Sequence, residues 1–175
     1  MKKFILDLTV AENIRLNANY VLLKLTSQSL LPEMLPGQFA ELRVDGSPTT
    51  FLRRPISINY VDRKTNEVWF LVQLVGDGTR KLATVKEGDI VNVVLPLGNG
   101  FSMPENPDRK VLLVGGGVGT APMLYLGEAL LKMGCKRLSY WVHVLRTICC
   151  NWNSSSSSAM YIPLLKTEVW EKKVM

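Results

Sequence analysis

A glycine-rich run, Gly115-Gly116-Gly117-Val118-Gly119, lies between an apolar stretch and a helix-forming one. The apolar residues Val111–Val114 predict a strand that is buried on both faces. Pro122–Met133 predicts a helix, with proline near its first turn and Gly134 at its end. Together they would present backbone N–H groups and the positive end of a helix dipole to a phosphate. Pro122 stands where the dinucleotide-binding pattern has Gly or Ala, so a tight structural turn is the alternative.

A second candidate is the run Arg53-Arg54-Pro55-Ile56-Ser57, which opens a predicted strand. Two successive arginines could pair with an anion in a bidentate manner. Pro55 fixes the local backbone and removes a competing donor. Ser57 could hydrogen-bond a ring heteroatom. The alternative is a solvated basic patch at the beginning of a strand.

Two further runs are rich in turn residues. In Gly76-Asp77-Gly78-Thr79, the glycines permit a close approach of the backbone and Thr79 could cap a following helix, which would make a second anion site. An ordinary turn and cap is the alternative. The run Pro96–Phe101 also contains Gly and Asn, but such turns are common and indicate little by themselves.

Composition excludes several kinds of site. The three cysteines, Cys135, Cys149 and Cys150, favour neither a disulfide framework nor a metal site, and His143 is the only histidine. We therefore predict no catalytic side chain and no metal ligand. The formal net charge of the 175 residues is +6, and five basic and two acidic residues after Lys136 supply half of it.

The same composition argues against nucleic-acid and membrane partners. The basic residues form no stripe with interleaved aromatic residues, so a nucleic-acid surface is not indicated. No stretch reaches the roughly 18 apolar residues that span a bilayer, and Asp7 interrupts the apolar run at the beginning of the chain. We expect a cytoplasmic protein.

Residues 1–101 contain six β-rich runs separated by turn signals, which predict a small antiparallel barrel. A short helix is predicted over Thr79–Val85. Within the fifth run, odd-numbered and even-numbered residues alternate between the two faces. The six runs are Phe4–Val10, Tyr20–Ser27, Gln38–Val44, Ile56–Val61, Glu67–Val75 and Ile90–Leu95.

The remaining residues divide into two segments. Residues 102–136 form a linker and the first strand, turn and helix of a nucleotide-binding α/β domain. Residues 137–175 contain no Gly and no Asp but hold three of the four tryptophans. One more strand is predicted over Arg137–Leu145, and no clear period follows it. We expect this tail to be a truncated or out-of-frame ending, with an evolved extension as the alternative; translation of the encoding DNA in its other frames distinguishes them.

In this order, the motifs resemble those of the ferredoxin reductase-like flavoproteins. Within that superfamily the chain is similar to the electron transfer subunits of dihydroorotate dehydrogenase B, over about residues 2–136. The matching stretches are Pro36-Gly37-Gln38-Phe39, Arg53–Ile58, Gly76–Arg80, Pro96–Phe101 and Leu113–Gly119.

The resemblance implies a six-stranded antiparallel Greek-key barrel that binds FAD, followed by an incomplete Rossmann-like NAD-binding domain. Arg54 would hold the FAD pyrophosphate, and Ser57 would hydrogen-bond the flavin ring. Leu71-Val72-Gln73 would line FAD, and Gly78 and Thr79 would bind its phosphate through backbone and hydroxyl. The full set of implied cofactor-binding residues is Arg54, Pro55, Ile56, Ser57, Leu71, Val72, Gln73, Gly78 and Thr79 for FAD, and Gly115, Gly116, Gly117 and Gly119 for NAD.

Members of this family pass electrons from NADH through FAD and a [2Fe–2S] cluster to a catalytic, FMN-containing dihydroorotate dehydrogenase subunit in a heterotetramer, in pyrimidine biosynthesis. The cluster needs four cysteine thiolates, and this chain has three at unsuitable spacing. We therefore predict no cluster here and impaired electron transfer to the partner. A stand-alone NAD(P)H-flavin reductase and a non-catalytic flavin-binding fragment are the alternatives.

Overall fold

A computed structural model of the chain describes residues 2–135, 138–143 and 170–171. Strands predominate in its first hundred or so residues, and two short helices lie between strands. In chain order the elements are β1 (Phe4–Arg15), β2 (Tyr20–Thr26), β3 (Phe39–Leu42), β4 (Arg54–Asp62), β5 (Glu67–Gln73), α1 (Asp77–Leu82), β6 (Ile90–Leu97), β7 (Val111–Gly116), a 3-10 turn (Gly117–Thr120), α2 (Met123–Lys132), β8 (Leu138–His143) and β9 (Trp170–Glu171).

The first six strands close into an antiparallel barrel in the order β1-β2-β5-β4-β3-β6. This confirms the predicted six-stranded Greek-key barrel and the short helix between β5 and β6. β1 is longer than predicted, because an irregularity between Val10 and Glu12 lets it leave β6 and continue along β2 as far as Arg15.

Side chains along the strands point alternately into and out of the barrel, and the inward ones form its core. On β5 the side chains of Val68, Phe70 and Val72 are fully buried, whereas Trp69 and Gln73 on the other face are half-buried. The predicted two faces of this strand are therefore confirmed. Each such side chain contributes about 1.5–3 kcal/mol on burial, and the aliphatic core carries the stability of the barrel.

The motifs Pro36–Phe39 and Pro96–Phe101 interlock at one corner of the barrel. Gly37 has φ +95°, and a Cβ there would lie 2.7 Å from Cδ2 of Phe101. Gln38 is buried, accepts a hydrogen bond from the Leu35 amide at 2.7 Å and donates to the Gly98 carbonyl at 3.1 Å. These two motifs, which also carry the family resemblance, therefore have a structural role: they hold one corner of the barrel together.

The second part of the described chain is one strand–helix–strand unit. β7 and β8 pair in parallel, and β9 adds to β8 in the antiparallel direction. Leu113, Leu126, Leu130 and Cys135 form a small buried cluster between β7 and α2. The strand predicted over 137–145 is confirmed at Leu138–His143. Otherwise the predicted tail lies outside the described residues, apart from Trp170–Glu171.

Candidate functional site

β4 and β5 separate at one end of the barrel. They pair from Ile58 and Phe70 to the turn that joins them, with an irregularity between Ile58 and Tyr60. Beyond Ile58 no pairing joins Arg54–Ser57 at the beginning of β4 to Leu71–Gln73 at the end of β5, although each segment still pairs with its other neighbour. Backbone polar groups on the facing edges are therefore left without a strand partner, which suits a planar ligand with a polar edge.

Arg54 lies on this opening and contacts the turn that begins α1. A Cβ on Gly78 would lie 2.9 Å from Cδ of Arg54 and 3.0 Å from Cγ2 of Thr50, so only glycine leaves room for the arginine stem. Nε of Arg54 donates to the Arg53 carbonyl at 3.1 Å. Within the described residues its two terminal nitrogens make no other hydrogen bond. Two motifs that the sequence places 24 residues apart, at Arg54 and Gly78, thus meet at one point.

The Thr79 hydroxyl is engaged in shaping the start of α1. It accepts hydrogen bonds from the Val75 and Gly76 amides, each at 3.1 Å, and donates to the Gly76 carbonyl at 3.0 Å. The amides of Asp77 and Gly78 lie in the first turn, where the helix supplies no acceptor for them. A phosphate beside Arg54 would therefore meet backbone donors there, whereas the Thr79 hydroxyl would first have to leave its capping position.

The side chains of the predicted flavin-contacting segments divide between core and surface. Ile56 packs against the barrel core, Ser57 is half-buried, and Pro55 is exposed. On β5, Val72 is fully buried, so it could meet a ligand only through its backbone. Leu71 is 6% exposed and packs in a small cluster outside the barrel core. Within the described residues the Ser57 hydroxyl makes no hydrogen bond and is available to a ligand.

Arg53 differs from Arg54, because its guanidinium is committed to the barrel wall. Nη1 donates to the Asn92 carbonyl at 2.9 Å and Nη2 to Oδ1 of Asn92 at 2.5 Å. Asn92 in turn donates to Asp7 on β1 at 2.5 Å. The expectation that both arginines could pair with one anion is therefore wrong for Arg53, which ties β6 to the loop before β4.

The glycine-rich run forms the end of β7 and a 3-10 turn that leads into α2. A Cβ on Gly115 would lie 3.0 Å from Cγ2 of Thr120, so glycine is needed there for packing. Gly117 has φ +54°, and a Cβ on Gly119 would meet no atom within 4 Å. The predicted strand, turn and helix are confirmed. The expectation that the strand is buried on both faces is wrong, because α2 covers only the face with Leu113, and Leu112 and Val114 are 56% and 58% exposed. The outer side of the turn at Gly117 and Gly119 is open.

Polar contacts between described residues join this second unit to the barrel, and no sequence motif indicates them. Nδ2 of Asn59 donates to the Ala121 carbonyl at 2.7 Å, and the Tyr60 hydroxyl donates to Oε1 of Glu128 at 2.9 Å. The Tyr125 hydroxyl donates to the Met34 carbonyl at 2.8 Å. Burial and the adjacent Glu128 carboxylate raise the pKa of Tyr60. The only sequence signal was an asparagine within a β-rich run.

The described residues contain no group of three or more His, Cys, Asp or Glu side chains that could hold a metal ion. Cys135 is a buried free thiol, whereas Cys149 and Cys150 lie outside the described residues. The prediction about the [2Fe–2S] cluster therefore stays a prediction. Among the described helices, none combines the length and apolar character needed to cross a membrane.

Curated relatives are similar in sequence to this chain over most of its length. The dihydroorotate dehydrogenase B (NAD(+)) electron transfer subunit of Fusobacterium nucleatum is 35% identical over 133 residues, which is 75% of this chain and 51% of that protein. The protein of the same name from Geobacillus kaustophilus is 42% identical over 115 residues, 65% of this chain and 45% of that protein. The chain thus spans about half the length of these relatives.

Solved structures share its fold. The Amycolatopsis cytochrome P450 reductase GcoB superimposes with a TM-score of 0.70 at 26% identity, over 81% of this chain and 44% of that one. Phthalate dioxygenase reductase, described as a modular structure for electron transfer from pyridine nucleotides to [2Fe–2S], gives a TM-score of 0.68 at 23% identity, over 80% of this chain and 44% of that one.

No protein-family model matches the chain. The relatives and the solved structures nevertheless agree with each other and with the six-stranded barrel. The chain is a homologue of the dihydroorotate dehydrogenase B electron transfer subunits, built on the fold of the ferredoxin reductase-like FAD/NAD-binding proteins.

Proposed function

We propose that the barrel binds FAD in the opening between β4 and β5. The observation that carries this proposal is the meeting of Arg54 with Gly78 at the mouth of that opening, where the missing Cβ makes room for the arginine stem. The two terminal guanidinium nitrogens of Arg54, the first-turn amides and the strand edges without a ladder partner form a donor set. This set suits a pyrophosphate joined to a planar heterocycle.

Each part of the site has a distinct role in this proposal. Arg54 and the amides of Asp77 and Gly78 hold the pyrophosphate. The Ser57 hydroxyl and the backbone edge of Leu71–Gln73 bind the polar rim of the flavin ring. Because the Val72 side chain is fully buried, this residue can meet the ring only through its backbone. Ile56 is half-buried against the core and helps to fix β4.

In the same proposal, the glycine-rich turn at Gly115–Gly119 binds the nicotinamide nucleotide that reduces the flavin. It presents backbone donors at the end of β7, and its open side at Gly117 and Gly119 admits the pyrophosphate of a nicotinamide nucleotide. When bound, FAD supplies the chemistry that accepts a hydride and releases electrons singly. The residues of this chain bind and orient the two nucleotides, and no side chain is assigned to proton transfer.

The relatives' names suggest the physiological role. By homology, we propose that the full-length protein carries electrons between NADH and a catalytic, FMN-containing dihydroorotate dehydrogenase subunit in pyrimidine biosynthesis. We also propose that this chain holds no [2Fe–2S] cluster, because it has three cysteines and Cys135 is buried. The absorption spectrum after iron and sulfide reconstitution tests this: bands beyond those of flavin would contradict it.

One experiment distinguishes this proposal from a binding-only module and from a stand-alone reductase. The full chain is titrated with FAD, and NADH is then added anaerobically while flavin absorbance is followed. Saturable binding of FAD followed by bleaching supports an NADH-reducible flavoprotein. Continued reduction of added free flavin by NADH, without any partner protein, favours the stand-alone reductase. Binding without bleaching favours the module, and absence of FAD binding contradicts the proposal.

A further inference from the structure

Ala121, which directly follows the 3-10 turn, is held by three strands of the barrel. Its carbonyl accepts the 2.7 Å hydrogen bond from Asn59 on β4. Its side chain is buried in a cluster with Tyr20 on β2 and Leu71 on β5. Ala121 is only 2% exposed, and its own amide donates to the Val118 carbonyl inside the turn at 2.9 Å. The barrel therefore holds Ala121, the residue that ends the glycine-rich turn, by a hydrogen bond and by packing.

Asn59 lies on the same face of β4 as Ser57. Ile58 is fully buried in the barrel core, and side chains on either side of it in a strand point to the opposite face. The strand irregularity between Ile58 and Tyr60 then leaves Tyr60 outside as well, where it reaches Glu128. One short segment of β4 thus faces the proposed flavin site with Ser57 and the glycine-rich turn with Asn59.

Asn59 and its neighbour Tyr60 bind different parts of the second unit. The Tyr60 ring packs edge-on against Tyr125, with 6.0 Å between centroids, and its hydroxyl binds Glu128 in the middle of α2. Glu128 is also paired with Lys132 one turn later, at 2.9 Å. These groups hold the body of α2, whereas Asn59 alone among them binds the residue that ends the turn.

We propose that Asn59 is a positioning residue: its amide fixes the glycine-rich turn relative to the flavin-binding strand, so that a nicotinamide held by the turn meets the flavin ring at reacting distance. This inference rests on the proposed function and deepens it. In this role Asn59 acts through the Ala121 carbonyl and needs no contact with either nucleotide. Because hydride transfer depends steeply on the separation of the reacting atoms, a displacement of about 1 Å costs roughly 100-fold in rate.

The test uses the full chain loaded with FAD and the variant Asn59→Asp, which keeps the shape but removes the donor. Anaerobic stopped-flow measures flavin reduction by NADH and by N-benzyl-1,4-dihydronicotinamide, a donor without the nucleotide part that the turn binds. We expect reduction by NADH to slow by about 10- to 100-fold, with FAD affinity and reduction by the small donor unchanged. Equal slowing with both donors, or none with NADH, overturns the proposal.

A second readout does not depend on FAD or NADH. Hydrogen exchange of the full chain should become faster in residues 117–122 of Asn59→Asp, with exchange in the barrel strands unchanged. The matched control, Tyr60→Phe, removes the bond to Glu128 and should affect α2 but leave the turn protected and the rate with NADH near that of the wild type. Unchanged exchange in the turn of Asn59→Asp refutes the anchoring itself, whereas a wild type that binds no FAD refutes the proposed function.

Discussion

Gly78→Ala should weaken FAD binding without weakening the fold. The new Cβ would lie 2.9 Å from Cδ of Arg54 and 3.0 Å from Cγ2 of Thr50. Ordinary carbon contacts are about 3.5–4.0 Å, so the arginine stem must move by roughly 0.5–1 Å. The guanidinium at its end would then leave the position from which it is proposed to bind the pyrophosphate.

Gly78→Ala should have a large effect on FAD affinity and a small effect on the free energy of unfolding. A hydrogen bond to a charged group contributes about 1.5–3 kcal/mol, so loss of one such contact raises the Kd for FAD by about 10- to 100-fold. Alanine is favoured over glycine within a helix by about 1 kcal/mol, which offsets the displacement of the arginine stem. The free energy of unfolding without FAD should therefore change by less than about 1 kcal/mol.

Fluorescence titration with FAD and urea unfolding of the same samples measure the two quantities. Gly76→Ala is the matched control, because a Cβ at Gly76 meets no atom within 4 Å and the backbone there is extended. In the Arg54→Ala background, Gly78→Ala should have no further effect on affinity. If Gly78→Ala weakens binding as much there as in the wild type, the effect does not run through Arg54 and the reasoning is refuted.

Three further outcomes are expected. Arg53→Ala should lower the free energy of unfolding by about 1–3 kcal/mol, because Oδ1 of Asn92 loses its hydrogen-bond donor. Urea unfolding measures this change, and an unchanged midpoint would contradict the role of Arg53 in the barrel wall. The pKa of Tyr60 is higher in the folded chain than in the unfolded chain, because of burial and the Glu128 carboxylate. The stability that the protonated hydroxyl contributes is therefore present below the ordinary tyrosine pKa and is lost as pH rises above it. From about pH 9 to pH 11 the wild type should lose more free energy of unfolding than Tyr60→Phe, and parallel losses would refute this. Gly37→Ala should reduce the yield of folded protein or lower its melting temperature, because its positive φ and the contact with Phe101 both exclude a Cβ; a melting temperature equal to that of the wild type would show that the corner can adjust.

The fold was predictable because local patterns and global architecture agree. Alternating residues identified the strands of the barrel, as on β5, where Phe70 lies inside and Trp69 outside. The strand, glycine-rich turn and helix after Val111 were equally clear from composition. The extension of β1 to Arg15 was not, because an irregularity in its ladder changes its partner, and no residue type marks that change.

The site was predictable only in part, because its contacts join distant segments. Arg54 and Gly78 were each identified from local chemistry, but their contact depends on tertiary packing. Adjacency in the sequence predicts a shared role for Arg53 and Arg54, but the partner of Arg53, Asn92, lies 39 residues away. Asn59 was missed for the same reason, since Ala121 is 62 residues away and an asparagine in a strand has many possible uses.

Comparison of FAD affinity among the wild-type chain, Arg54→Ala and Arg53→Ala tests the central claim most directly. The two substitutions remove the same charge from adjacent positions, but only Arg54 lies at the proposed pyrophosphate site. The account predicts saturable binding of FAD by the wild type, a Kd raised by at least about 10-fold in Arg54→Ala and a Kd close to that of the wild type in Arg53→Ala. Equal affinities in all three proteins, or no saturable binding by the wild type, would contradict it.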